Sequence, residues 1–275
     1  MGFTNMFKAM AWRLVRGWIG RTFLLVFAIL IVVGVAALKV IGASMAVMAT
    51  VSETSSDISL ALSVLSSGEG GVDLVAASGA LFVRGSFVAM LVAIFCGLFF
   101  AADRKYGAVK NVVQGRTGRR DYALAAGALT LCATALAVLA GLLVSAASLA
   151  AFGYALAAPD PGELLSWFVE VWLCVSAYAL IAVAVALVTG SEAVSAIVGV
   201  MLGGAAVENL LYSAIGLITG HPDEVRAVFD GYLAVALSRL GGGAVLPWEA
   251  LVPALATVGV AVLIGVAVVR RRSLA

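Results

Sequence analysis

GSFVAMLVAIFCGLFFAA, residues 85–102, is an uncharged run, and DRKYGAVKNVVQGRTGRRD, residues 103–121, is the charged segment that follows it. A second uncharged run, residues 122–159, begins directly after this segment. A helical run of about 18–20 residues spans roughly 30 Å, the thickness of the hydrocarbon core of a bilayer. The alternation of long apolar runs with a short charged segment therefore predicts membrane-spanning helices joined by a loop.

The composition of the whole chain extends this prediction. Of its 275 residues, 63% are apolar and only 12% are charged, and the mean hydropathy is +1.13. A soluble domain of this length needs far more polar surface to cover its core. The apolar runs are continuous and rich in Leu, Ala and Val, which favours helices over strands. We therefore expect an all-α integral membrane protein.

The apolar runs divide the chain into six predicted spans within a single transmembrane domain, residues 1–275. The spans are residues 22–47, 80–102, 122–148, 166–188, 193–218 and 249–269. Turn residues separate the later spans at Pro159-Asp160-Pro161-Gly162 and at Thr189-Gly190-Ser191-Glu192.

Two further segments carry apolar residues at helical spacing. Residues 1–21 predict an amphipathic helix on the membrane surface, and residues 223–240 predict a second amphipathic helix before the last span. A signal peptide is the alternative for the N-terminus, but the apolar run after residue 21 is too long for one.

The distribution of basic residues predicts the orientation. With the N-terminus in the cytoplasm, thirteen of the seventeen Lys and Arg residues fall on the cytoplasmic side. Basic residues are enriched in cytoplasmic loops, so both termini are expected to face the cytoplasm. The hairpin at residues 189–192 has no Lys or Arg, which makes the two spans that it joins the least constrained part of this topology.

The chain lacks the motifs of catalytic, metal and nucleotide sites. Its one histidine, His221, excludes His-based triads and two-His metal sites within one chain. No Gly is followed by Lys, which excludes a phosphate-binding loop. Cys96, Cys132 and Cys174 form no CxxC pair and are interpreted as small buried apolar residues. We expect no enzyme, no cofactor and no metal in this chain, and no nucleic-acid partner.

The charged segment predicts a short helix with one apolar side. Its apolar residues are Tyr106, Val109, Val112 and Val113, with Lys105, Lys110, Asn111 and Gln114 around them and Gly107 and Gly115 at the entry and exit. Such a helix can insert into a groove of a cytoplasmic partner protein. Alternatively, its charges anchor the loop to anionic headgroups. The residues alone leave both interpretations open.

This segment resembles the cytoplasmic loop after the second span in type-2 export permeases of ATP-binding-cassette transporters. The resemblance rests on Gly107-Ala108-Val109-Lys110-Asn111-Val112-Val113 and on Gly115-Arg116-Thr117-Gly118-Arg119. Asp103 stands near the place of the acid that usually precedes the glycine. The layout agrees as well, with a basic surface helix, six spans and an outer amphipathic helix before the last one.

The resemblance implies a coupling helix that docks on a separate ATPase subunit, which would bind the ATP and Mg²⁺. A second copy of the permease, or a paralogue, would complete an export path in a bacterial plasma membrane, in contact with membrane lipids. The implied coupling residues are Asp103, Tyr106, Gly107, Val109, Lys110, Asn111, Val113, Gly115 and Arg119. The N-terminal helix would also touch the ATPase, and the outer helix would help to close the outward mouth.

One carboxylate lies inside the fifth predicted span. Glu208 at the centre of a bilayer would cost about 2.5–3.5 kcal/mol, so it must be neutral, paired or in a polar interior. We interpret Glu208, Asn209 and Tyr212 as residues of a translocation path or a dimer seam; alternatively, Glu208 lies near the outer interface or pairs with Arg84. Gly199-x-x-x-Gly203 on the same span would permit close helix approach, although the pattern arises easily by chance in this chain.

Two other functional classes stay open beside an ATP-driven exporter. A transporter driven by an ion gradient would favour acidic residues at midplane and matching breaks in two repeats. A membrane sensor or scaffold would use the charged segment as a protein dock and transport nothing.

Overall fold

The computed structural model describes residues 3–47, 71–105, 116–203, 210, 213–215, 217–218, 233–245 and 251–271. The helices are α1 (Phe3–Arg16), α2 (Trp18–Val47), α3 (Leu74–Ser78), α4 (Phe87–Lys105), α5 (Arg116–Ala151), α6 (Pro161–Thr189), α7 (Glu192–Gly203), α8 (Leu233–Leu240) and α9 (Val252–Arg271). A π-helical stretch, Gly79–Val83, and a 3₁₀ turn, Arg84–Ser86, join α3 to α4. These ranges contain no β-strand, only an isolated bridge between Val72 and Leu156. The predicted all-α class is confirmed.

Five helical segments are long and apolar enough to cross a membrane. They are Trp18–Val40, Leu74–Asp103, Arg120–Ala151, Pro161–Thr189 and Val252–Val269. They correspond to the first four predicted spans and the last one, and five such helices fit a multi-pass membrane protein. Of the fifth predicted span, 193–218, the structure describes α7 and a few scattered residues. A count of six spans and the orientation of the termini stay predictions.

The centre of the fold is α4, which packs against α6 and α7. Helix α9 packs against α6 and α5, while α1 and α2 both pack against α5. Among the candidate spans, α6 is the most buried and α2 the least. In a bilayer the exposed apolar side chains of α2 face lipid, which solvates them as well as a protein core does.

Two glycines of α7 bring it into close contact with α4. A Cβ atom added to Gly199 would lie 2.9 Å from the backbone N of Ile94, and one added to Gly203 would lie 2.6 Å from the backbone N of Met90. Both distances are shorter than any real Cβ contact, so only glycine fits at these positions without a shift of the helices. The Gly199-x-x-x-Gly203 pattern is therefore a helix-packing motif here and no accident of composition.

Both predicted turns around α6 are confirmed. The Asp160 carboxylate accepts a hydrogen bond from the backbone N–H of Glu163 at 3.2 Å, and Pro161 occupies the first turn, where its missing N–H costs nothing. At the other end, Gly190 adopts φ 67° and its N–H donates to the Ala186 carbonyl at 2.8 Å. Asp160 begins α6 and Gly190 ends it because each satisfies backbone groups that the helix leaves unpaired.

The candidate span Leu74–Asp103 contains the second predicted span, 80–102, but it is not one continuous α-helix. The helical segment begins earlier, at Leu74, and breaks where Gly85 and Ser86 adopt φ 69° and 58°. Ser86 is buried, and a non-glycine residue in this left-handed region is strained. Irregular backbone at membrane depth is tolerated only where protein or a water-filled cavity surrounds it. Here the glycine turn after α8 provides that cover: a Cβ added to Gly241 would lie 2.7 Å from the Cα of Arg84.

Candidate functional site

The structure describes only the two ends of the predicted coupling segment. Asp103 lies in the last turn of α4, and the backbone of Arg119 lies in the first turn of α5. The remaining predicted coupling residues lie outside the described residues: Tyr106, Gly107, Val109, Lys110, Asn111, Val113 and Gly115. The predicted path residues Glu208, Asn209 and Tyr212 also lie outside them.

Asp103 forms an ion pair within the chain. Its side chain is 2% exposed, and its Oδ1 accepts a hydrogen bond from Nη2 of Arg13 on α1. The Arg13 guanidinium also lies 5.4 Å from the centroid of the Phe99 ring, one turn before Asp103. A buried carboxylate is stable only when it is paired and hydrogen-bonded, so this contact fixes α1 against the end of α4.

The packing of α1 places Arg13 at this position. Met6 and Met10 are buried on the side of α1 that faces the core, and α1 lies against α5 and the start of α2. Met6, Met10 and Arg13 are spaced i, i+4 and i+7, so they share one side of the helix. A basic residue on the apolar side of a helix is a sequence signal for a buried acidic partner, and Arg13 carries that signal.

A second ion pair joins α4 to α7. The Lys105 ammonium lies 3.3 Å from Oε2 of Glu192, the first residue of α7. Both side chains are partly exposed, which limits the stabilisation from such a pair to about 1 kcal/mol or less. The last turn of α4 is thus connected to two other helices directly before residue 106.

Helix α6 carries buried polar groups that the sequence analysis missed. Glu170 lies inside the fourth predicted span and is only 4% exposed. Among the carboxylates within predicted spans, the sequence had pointed only to Glu208, in the fifth. Two turns further along, the hydroxyls of Ser176 and Thr134 lie 2.6 Å apart and link α6 to α5. The Trp172 Nε1–H donates to the Leu131 carbonyl at 2.9 Å in the same contact. A carboxylate within a predicted span was the available signal for Glu170.

The cysteine prediction holds for two residues of three. Cys96 and Cys174 are buried, whereas Cys132 is exposed on the outer side of α5. In a helix whose other outward residues are Leu136, Leu139 and Leu143, this position contacts the surroundings of the chain rather than its core. Among the described residues, no three His, Cys, Asp or Glu side chains form a group that could hold a metal ion.

An apolar groove of about 380 Å³ lies between α6 and α9. Its lining includes Ile181 and Val185 of α6 and Val260 and Ile264 of α9. The Thr257 hydroxyl at its edge donates to the Pro253 carbonyl, so it presents no free donor to the groove.

No protein-family model matches this sequence, and no curated protein matches it. The resemblance to export permeases therefore depends on the motif in residues 103–121 and on the layout of the helices.

Proposed function

We propose that this chain is the membrane-spanning permease subunit of an ATP-binding-cassette exporter. A separate ATPase binds ATP and Mg²⁺ and docks on residues 106–115, and a second permease copy or a paralogue completes the translocation path. The chain then works in the plasma membrane of a bacterium. Five candidate spans and the motif in the loop after the second one support this proposal.

The observation that carries the proposal is how firmly the loop is attached. Residue 106 follows a helix whose last turn holds the buried Asp103–Arg13 pair, and residue 115 precedes the 36-residue helix α5. Because α4 is closely packed against α6 and α7, a displacement of its end moves those helices as well. A loop with these attachments can transmit the movement of a partner to the membrane-spanning core.

The test is whether a nucleotide-binding partner depends on the apolar side of the loop. A tagged full-length chain is purified in detergent from its native host, and the eluate is analysed by mass spectrometry and by an ATPase assay. We expect a subunit with a phosphate-binding loop, and we expect the double variant Val109→Asp/Val113→Asp to lose it. The matched control is Leu165→Asp, a charge introduced at an exposed position in the first turn of α6, on the other side of the predicted topology.

Retention of the ATPase by the double variant would refute the docking role of the loop. Purification of the wild-type chain without any phosphate-loop protein would refute the exporter itself. Equal yields of the wild-type chain and both variants, and equal elution volumes on a sizing column after the ATPase has been dissociated, establish that insertion and folding are unchanged.

A second candidate is a carrier driven by an ion gradient, which one observation favours. Glu170 is a buried carboxylate inside a candidate span, the kind of residue that proton-coupled carriers use. Proteoliposomes that contain this chain alone would then dissipate an imposed pH gradient, and Glu170→Gln would abolish that flux. The exporter proposal expects no such flux in the absence of the ATPase.

A further inference from the structure

One side of α1 points away from the protein and carries an aromatic residue between two cations. Lys8, Trp12 and Arg16 are spaced i, i+4 and i+8, and all three are exposed. They lie opposite Met6 and Met10, which are buried against the core. Trp12 is 61% exposed, and the Arg16 guanidinium lies 5.2 Å from the centroid of its ring.

The same pattern continues into the first turn of α2. Trp18 is 84% exposed and Arg21 is exposed beside it. The first candidate span runs from Trp18 to Val40, so in a membrane its first turn lies close to the level of the lipid headgroups. Tryptophan and basic residues are enriched at this level because their apolar bodies enter the membrane while their polar ends stay in water.

Most of the positive charge in this region is not neutralised by the parts of the chain that the structure describes. Residues 3–47 contain five Lys and Arg residues and no Asp or Glu. Asp103 neutralises Arg13, and within the described parts of the chain Lys8, Arg16 and Arg21 form no ion pair. Three unpaired cations next to a membrane surface attract an anionic ligand.

We propose that Lys8, Trp12, Arg16, Trp18 and Arg21, which we call the headgroup face, bind the headgroups of anionic phospholipids. An acidic partner protein fits less well, because Trp18 and Arg21 lie in the first turn of a candidate membrane span, where the neighbours of an exposed side chain are lipids. The proposal depends on the membrane location of the chain and does not require an ATPase.

Lipid selectivity of the full-length chain tests the proposal. The chain is purified in a neutral detergent and titrated with phosphatidylglycerol or phosphatidylcholine of identical acyl chains, and retained lipid is counted by native mass spectrometry. We expect the wild-type chain to prefer phosphatidylglycerol. The preference should fall by about fivefold for each cation removed, so that Lys8→Gln/Arg16→Gln/Arg21→Gln retains both lipids equally.

Three comparisons decide the result. If the headgroup face is the site, the preference for phosphatidylglycerol is kept by the charge-conserving variant Lys8→Arg/Arg16→Lys/Arg21→Lys. It is also kept by Arg239→Gln, which changes a distant cation. The wild-type chain keeps it in the presence of inorganic phosphate as well. The wild-type preference also weakens as NaCl rises from about 50 to about 500 mM, which tests the proposal even if a variant does not fold.

Equal retention of both lipids by the wild-type chain, or an unchanged preference in the Gln variant, overturns the proposal. Loss of a bound ATPase in the Gln variant with the lipid preference intact would assign the face to a protein partner and would overturn it as well.

Discussion

The contact between Gly203 of α7 and Met90 of α4 leads to a quantitative prediction about helix packing. An alanine Cβ at position 203 would lie 2.6 Å from the backbone N of Met90, and backbone atoms cannot turn aside as a flexible side chain can. The two helices must therefore separate by about 1 Å to restore ordinary van der Waals contact. Overpacking of this kind costs about 1–3 kcal/mol, while the higher helix propensity of alanine returns up to about 1 kcal/mol. We expect a net destabilisation of about 1–2 kcal/mol for Gly203→Ala.

Two other glycines give a graded series for the same substitution. Gly199→Ala places its Cβ 2.9 Å from the backbone N of Ile94, and we expect a smaller destabilisation. Gly259 of α9 has no heavy atom within 4 Å of the added Cβ, so Gly259→Ala is the matched control. In that open position alanine should stabilise the chain by about 0.5–1 kcal/mol, because it loses less conformational entropy on folding than glycine.

Thermal unfolding in detergent measures the relative stabilities of the three alanine variants directly. In a Cys132→Ala background, which removes the exposed thiol, a thiol-reactive dye reports unfolding because Cys96 and Cys174 are buried in the folded chain. Each kcal/mol shifts the midpoint by about 2–4 °C in large soluble domains, so the three variants should be resolved. Equal midpoints for Gly203→Ala and Gly259→Ala would refute the close approach of α7 and α4.

Three further predictions concern polar contacts. Asp103→Asn should destabilise the chain by about 1–2 kcal/mol, less than the loss of a fully buried ion pair, because Arg13 is 42% exposed. Arg13→Gln should add little further destabilisation in the Asp103→Asn background. Additive effects in this double-mutant cycle would contradict the pairing. Trp167→Phe removes the 2.9 Å hydrogen bond to the buried carbonyl of Leu240, the last residue of α8. The unsatisfied carbonyl should cost about 1–3 kcal/mol and lower the unfolding midpoint. An unchanged midpoint would mean that this bond does not hold α8. Glu192→Gln breaks only the partly exposed ion pair with Lys105, so the unfolding midpoint should change by the equivalent of about 0.5 kcal/mol or less. A larger loss would show that the pair is buried in the membrane-embedded protein.

Much of the fold could be predicted because membrane helices are encoded locally. The run of residues 85–102 is uncharged, and a helix is the structure that satisfies its backbone groups without water. Asp160 and Gly190 then determine the ends of α6, because capping depends on residues within one turn. Predictions of this kind use information that lies within a few residues of each position.

The contacts of the candidate site could not be predicted in the same way. Arg13 and Asp103 are 90 positions apart, and no local pattern pairs them. The break at Gly85 and Ser86 was missed for a related reason: a single glycine in an apolar run fits an unbroken helix equally well. The break contacts the glycine turn at Gly241, which belongs to a distant part of the chain and which no local pattern links to it.

The long-range contacts meet at the two ends of the segment from Leu74 to Lys105. At one end, the turn after α8 packs on the broken backbone, and the Trp167 Nε1–H holds the Leu240 carbonyl at 2.9 Å. At the other end, α1 and α7 are attached by ion pairs. Between the ends, α4 packs through glycine contacts that permit little sliding. Because α4 is held at both ends, a displacement of its end before residue 106 would be passed along the helix to the break at Gly85 and Ser86. The turn after α8 packs on this break at Arg84, so the displacement would reach that turn as well.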